Sequence, residues 1–400
     1  MAQQATTANA NGPIYGGAAN GALTGAGTVD QRRALYLKLF SGEMFKGFQH
    51  NTIARDLVTR RTLKNGKSLQ FIYTGRTKSE FHVPGQSILG NDEKTPPVAE
   101  KTITVDDLLI SSAFVYELDE TLAHYDLRGE ISRKIGYALA ENYDRRIFRA
   151  ITKAARQPSP VTMSNFVEPG GSVVKVGAAA STTAADAYNA GHLVNAFFDA
   201  AAILDEKGVS GEGRVAVLNP RQYYALIQDV SSNGLINRDV QGTALQSGNG
   251  IIEIAGIKIY KSMNIPFFGK FGTKTDMNPR ASNDNEGSFV GEAMGDQDAK
   301  TTPSNSNTQK TVNNYGTAAK FANSCGLIFQ KEAAGVVEAI GPQVQVTSGD
   351  VSVVYQGDVI LGRLAMGADF LNPACAVELV AGIDVSSNFN NTAVSNASFT

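Results

Sequence analysis

The sequence is poor in several groups that chemistry needs. Its 400 residues hold two cysteines, Cys325 and Cys375, and four histidines, His50, His82, His124 and His192. A secreted disulfide scaffold carries more cysteine. These two read as small buried hydrophobes in a reducing compartment. No run of 18 apolar residues occurs, and residues 1–30 lack a basic start and an apolar stretch. We therefore expect no signal peptide and no membrane span. Net charge is −2 and the pI about 6.1, without the basic footprint of a nucleic-acid reader.

Catalytic and cofactor patterns are also missing. "NGKSL" (65–69) ends like a phosphate-binding loop, but Arg61 stands where its first glycine belongs, and a strand-like run follows. There is no H-E-x-x-H, no G-x-S-x-G, and no cysteine pair at metal-ligand spacing. "DNEGSFVGE" (284–292) is acidic but lacks the alternating oxygen ligands of a calcium loop. Asp106 and Asp107 are adjacent on a strand and point to opposite faces. No cofactor and no metal site is expected, and the chain does not read as an enzyme.

What is present is long-range pattern. Residues 1–29 are Ala, Gly, Asn and Thr with almost no charge, a composition that cannot offset its own ordering entropy. Residues 30–80 carry eleven Lys/Arg against four Asp/Glu, a net of +7. Residues 91–130 carry ten acids against three bases, a net of −7. These blocks are either solvated faces or complementary surfaces that meet between copies of the chain. "KSLQFIYTGRTKSEFHVPG" (67–85) and "KTITVDDLLISSAFVYEL" (101–118) flank the polar turn "GNDEKTPP" (90–97). The pattern predicts a long two-stranded hairpin over 66–112. Such a ribbon is marginal alone and needs a partner to cover it. Arg76, Lys78, Glu80, Phe81, Asp92 and Glu93 are its candidates for contacts between subunits.

"GEISRKIGYALAENYDRRIFRAITKAAR" (129–156) predicts a helix of roughly 40 Å at 1.5 Å per residue. Its row Ile131, Ile135, Leu139, Tyr143, Ile147, Ile151 drifts around the barrel and meets different partners at the two ends. The polar side is basic: Arg133, Lys134, Arg145, Arg146, Arg149 and Lys153. All but Arg146 are our candidates for a weak, non-specific DNA lining. Just before the helix, "LAHYDLRGE" (122–130) gathers His124, Tyr125, Asp126, Arg128 and Glu130. It reads as a hinge and helix cap, with Asp126 on the first free amides and Arg128 pairing with an acid. The rival reading is a catalytic site near His124.

Further on, 183–209 predicts a helix closed by Gly208, and 213–229 a buried strand followed by a helix with Asn219 and Pro220 at its start. Residues 250–266 read as two short strands around Gly256. The polar stretch 267–320 is too long for a compact connector and reads as a surface decoration or functional loop. Core strands return after 322, and 385–400 is a polar tail.

Taken in order, "KLFSGEMFKGF", "GKSLQFIYTGRT" with "VPGQSI", "LAHYDLRGE", "NPRQYYAL", "GIKIYKSMNIP" and "YQGDVILGRLAMGADFLNPACAVELV" resemble the major capsid protein of short-tailed (podovirus) double-stranded DNA bacteriophages. The resemblance covers most of 31–384. It implies an α+β chain with the tailed-phage and herpesvirus major capsid fold: an N-terminal arm (1–65), an extended β-hairpin loop (66–112), and a peripheral domain (113–185 and 322–384) with the spine helix. An axial domain (186–321) would carry the insertion 267–320. It further implies hexamers and pentamers in an icosahedral shell, with a scaffolding protein, a portal, packaged DNA and in some cases a decoration protein as partners, and no membrane. The chain would be made and assembled in a bacterial cytoplasm and end in the virion. The other non-enzymatic reading is a tail or decoration protein.

Overall fold

A computed structural model of the chain describes residues 53–75, 81–85, 98–106, 108–116, 127–160, 166–178, 184–227, 252–262, 324–346 and 356–381, with short pieces between them. In chain order the elements are α1 (Ala54–Leu57), β1 (Thr59–Thr62), β2 (Ser68–Thr74), β3 (Val98–Thr104), β4 (Leu109–Tyr116) and α2 (Leu127–Ala155). Then come β5 (Ser172–Lys175), α3 (Ala190–Glu206), β6 (Arg214–Leu218), α4 (Pro220–Ile227), β7 (Ile252–Ile254) and β8 (Ile257–Lys261). The last four are β9 (Ser324–Gln330), β10 (Ala334–Val346), β11 (Gly357–Phe370) and β12 (Ala376–Val380). The chain divides into two compact units.

The described part of the first unit lies within Leu108–Ala140 and Ile340–Leu364. Here β4 runs antiparallel to β11, from Leu109 opposite Leu364 to Tyr116 opposite Gly357. Alternation puts Val115 and its neighbour Ile360 on the inner face, packed with Ile131, Ile135 and Leu139 of α2. The outer face carries Ile110, Phe114 and Tyr116, all exposed.

The second unit comprises Thr52–Asp107, Glu141–Ala339 and Ala365–Thr400. Its main sheet has six strands in the order β5-β12-β9-β6-β8-β7. The central strands, "AVELV", "SCGLIFQ" and "RVAVL", are buried almost throughout. Near-continuous apolar runs of this kind suit strands covered on both faces. Leu193, Phe197 and Leu204 of α3 and Tyr223 and Leu226 of α4 join Leu218, Ile328 and Leu379 in one buried cluster. Each fully buried side chain of this size contributes about 1.5–3 kcal/mol.

Local signals set the ends of α3. Asn189 caps it, its side chain accepting from the backbone N–H of Gly191 and His192. Gly208 closes it at φ 68°, the left-handed conformation that glycine adopts without strain. The N–H of Gly208 bonds Asp205 O and that of Val209 bonds Leu204 O, a Schellman closure.

Three expectations are corrected. The 101–118 run does not continue as one hairpin strand. β3 pairs with β2 from Thr104 opposite Ser68 to Val98 opposite Thr74, and then the chain turns aside. Residues 109–116 pair with β11 instead. Secondly, a boundary at 321/322 does not separate two domains. β9 and β12 lie in the same sheet as β6 and β8, with Gly326 opposite Leu218, and β5 joins that sheet as well. Their apolar sequences demand central positions. Thirdly, the expected arm 1–65 ends in a docked root, since β1 pairs in parallel with β10, Thr59 opposite Gly335 and Thr62 opposite Glu338.

Candidate functional site: buried ion pairs along the long helix

From Glu141 to Ala155, α2 is buried on nearly every side, including its charged positions. A buried charge is costly unless it is paired and hydrogen-bonded. For Arg146, Lys153 and Arg156 the sequence meets this requirement with acids from distant segments.

The first group centres on Asp106, which follows the hairpin. Arg146 Nη1 donates to Asp106 Oδ2 at 2.9 Å, and Tyr315 OH donates to the same oxygen at 3.0 Å. Asn313 Nδ2 donates to Asp106 Oδ1 at 3.3 Å and to Thr104 O at 2.8 Å. Tyr315 OH in turn accepts from Ala368 N at 2.9 Å, and its ring lies 4.9 Å under the Arg146 guanidinium. Burial pushes the Asp106 carboxyl up, more than Arg146 and the hydrogen bonds pull it down. The backbone is held as closely: Asp106 N donates to Met366 O, and Val105 N to Lys67 O. A side chain at Gly367 would collide with Thr104 O, so only glycine permits this crossing. Asn313 and Tyr315, within the polar stretch 267–320, are thus buried core rather than decoration.

The second group centres on Glu338 of β10. Arg55 Nε and Nη2 donate to its two oxygens at 3.2 and 3.1 Å, and Tyr143 OH donates at 2.6 Å. Arg60 Nη1 stands 3.7 Å away. Burial raises the Glu338 carboxyl, but Arg55, Tyr143 and Arg60 outweigh it and hold it below its ordinary value. Burial, and then Glu338, push the Tyr143 phenol up.

Next along the helix, Lys153 Nζ lies 3.0 Å from Asp369 Oδ1, while Lys101 Nζ of β3 lies 2.8 Å from Oδ2. Both ammonium groups sit over the Phe370 ring, at 5.1 and 3.8 Å. Beyond the helix end, Arg156 forks onto Glu378 with both contacts at 2.6 Å. Arg145 pairs with Glu141 one turn earlier. Arg149 is enclosed; burial, then Arg146 and Arg145, lower its guanidinium to about 9.

This arrangement overturns part of the expected DNA lining. Arg145, Arg149 and Lys153 do not form an open basic face, because they are buried or held by internal partners. Lys134 is exposed on α2. Arg128 and Arg133 lie on α2, but their side chains fall outside the described residues. So do Arg76, Lys78, Glu80, Asp92, Glu93, His124, Tyr125 and Asp126. Phe81 is described and fully exposed. Both cysteines are buried free thiols; burial pushes Cys325 up and takes Cys375 to about 12. His192 Nδ1 lies 3.4 Å from Asp186. Among the described residues no group of three or more His, Cys, Asp or Glu could hold a metal, and no helix is long and apolar enough to cross a membrane.

The hairpin shows another kind of surface. Its inner face buries Phe71 and Ile103. Its outer face carries Ile72, 75% exposed, and Val98, 63% exposed, near the end of the ladder.

The chain is similar to known capsid proteins. It is 33% identical over 131 residues to the major capsid protein of Escherichia phage T7, and that stretch is 32% of this chain and 37% of the relative. The chain thus aligns with little more than a third of the curated relative's length. The major capsid protein of Enterobacteria phage T3 gives the same identity over 130 residues. The capsid structure of the cyanophage P-SCSP1u covers 89% of this chain and 95% of its own, at 29% identity and a TM-score of 0.63. The mature capsid of bacteriophage PhiM1 shares the fold at 17% identity, with a TM-score of 0.56 and 85% of this chain covered. The family described as "Gp10A-like: Major capsid protein" matches residues 70–380, well over half of the sequence, and the chain belongs to that family.

Proposed function

We propose that copies of this chain associate as hexamers and pentamers and close into an icosahedral phage shell around double-stranded DNA. The carrying observation is the contrast between the two kinds of surface. Arg146, Lys153 and Arg156 of the long helix and its end are paired with acids of the same copy. Two apolar side chains on the otherwise polar outer face of the hairpin, Ile72 and Val98, have no cover among the described residues. A soluble chain keeps such a ribbon when a neighbour completes it. Head-to-tail contacts make rings when the rotation closes. Interfaces of about 2,000 Å² or more supply the strength, with exposed ion pairs adding about 0–1 kcal/mol each.

The role is structural rather than enzymatic. A scaffolding protein guides closure and a portal occupies one vertex. Contact with packaged DNA is non-specific and falls to exposed bases such as Lys134, not to the enclosed arginines of α2. Expression with and without a scaffold, followed by electron microscopy and size-exclusion chromatography, tests the reading. Large closed particles are expected. A persistent monomer or dimer under both conditions contradicts it, and tubes would point to a tail protein.

A further inference from the structure

The root of the N-terminal arm is fastened to α2 at two points that differ in their chemistry. At one, Glu338 binds Arg55 and Tyr143, with Arg60 nearby. At the other, Asp144 accepts from Ile53 N at 2.9 Å and from Ala54 N at 3.3 Å. The Asp144 side chain is completely buried. Its third partner is the Asn264 side chain, which is neutral.

Among the described residues, no cation offsets this carboxylate. On the root, Arg55 is directed to Glu338, and Asp56 is exposed. On α2 itself, Tyr143 donates to Glu338, Arg145 pairs with Glu141, and Arg146 pairs with Asp106. The segment bearing Asn264 adds Ser262, also neutral, whose hydroxyl accepts from Asn264 N. Among the described residues, burial, opposed by three hydrogen bonds, sets the proton affinity of Asp144.

We propose that Asp144 makes the seating of residues 53–57 on α2 a proton-coupled step, so that the root is held more tightly in mild acid than in mild alkali. The sign follows from linkage. Burial raises the seated carboxyl from 3.8 to about 7. A released, hydrated Asp144 returns toward its ordinary value, so seating takes up a proton. The favourable contribution is full below the unfolded value and is lost as pH rises through about 7. The Glu338 fastening has the opposite sign, because its carboxyl is depressed, and it weakens only as pH falls into the carboxylate range. The root therefore has one proton-sensitive end, 53–57, and one end, 59–62, that stays fixed across neutral pH. The inference concerns a single copy and stands apart from the shell reading.

Hydrogen exchange on the full-length chain tests it, with protection corrected for the intrinsic pH dependence of exchange. Between pH 6 and 8 the seating constant of 53–57 should fall about tenfold for a group titrating near 7, while protection at 59–62 stays level. Asp144→Asn keeps an acceptor and removes the charge, so its profile over 53–57 should be flat. Uniform wild-type protection at 53–57 over this range overturns the proposal, whether or not the variant folds. So does an Asp144→Asn profile that keeps the wild-type slope.

Discussion

Arg146 and Asp106, forty residues apart in sequence, meet at 2.9 Å where neither side chain reaches bulk solvent. The pair joins the segment leaving the hairpin to the long helix. Tyr315 and Asn313 bring a third segment onto the same carboxylate.

Asp106→Ala should therefore be severe. It leaves Arg146 buried without its acid, a change that costs about 3–5 kcal/mol. The double variant Asp106→Leu with Arg146→Met removes both charges and should recover much of that loss. Denaturant unfolding of the two single variants and the double variant measures the coupling.

Glu338→Gln should cost about 1–3 kcal/mol, since hydrogen bonds to a charged group are lost. The cost stays moderate because Arg55 and Arg60 are partly exposed and can rehydrate. The wild-type Glu338 carboxyl is depressed, so its stabilisation is present above the unfolded value and is lost as pH falls through the folded one. Thermal unfolding between pH 3 and 7 should show a shallower acid decline in the variant than in the wild type.

Asn189→Ala should lower stability by about 0.5–2 kcal/mol, because two amides at the start of α3 lose their acceptor. Exchange protection should fall first over the opening turn of α3. Loss confined to another element would contradict this account of the cap.

Asp126→Ala should cost about 0.5–2 kcal/mol as a lost helix cap and should also reduce particle yield. Asp126 directly precedes Leu127, the first residue of α2. Unchanged unfolding together with unchanged assembly would refute the capping role.

The long helix, the hairpin ladder and the strand-like runs of β11 and β12 are legible in the sequence because each has a local pattern. The row Ile135, Leu139, Tyr143, Ile147, Ile151 is buried as its spacing requires. The ionic groups were not legible, because their partners are remote: Arg55 and Glu338 are 283 positions apart, Tyr315 and Asp106 209. Arg145, Arg146 and Arg149 look alike in sequence whether they face water or buried acids. The available signal lay elsewhere. Glu338 in "AAGVVEAIG" and Glu378 in "ACAVELVAG" are single acids inside apolar strands, and an acid placed there needs a cation. The hairpin's second strand looks overlong in the sequence for a related reason. The run 101–118 is strand-like throughout, and only the buried contacts of Asp106 and Gly367 show where it leaves the ladder.

The central claim is that the cations Arg146, Lys153 and Arg156 find their acids within one copy, whereas Ile72 and Val98 of the hairpin take their cover from another. Ile72→Asp combined with Val98→Asp tests it most directly, with unfolding and particle formation measured on the same preparation. The account predicts stability within about 0.5 kcal/mol of wild type, as for exposed positions, and no particles. Particles at wild-type yield would contradict it.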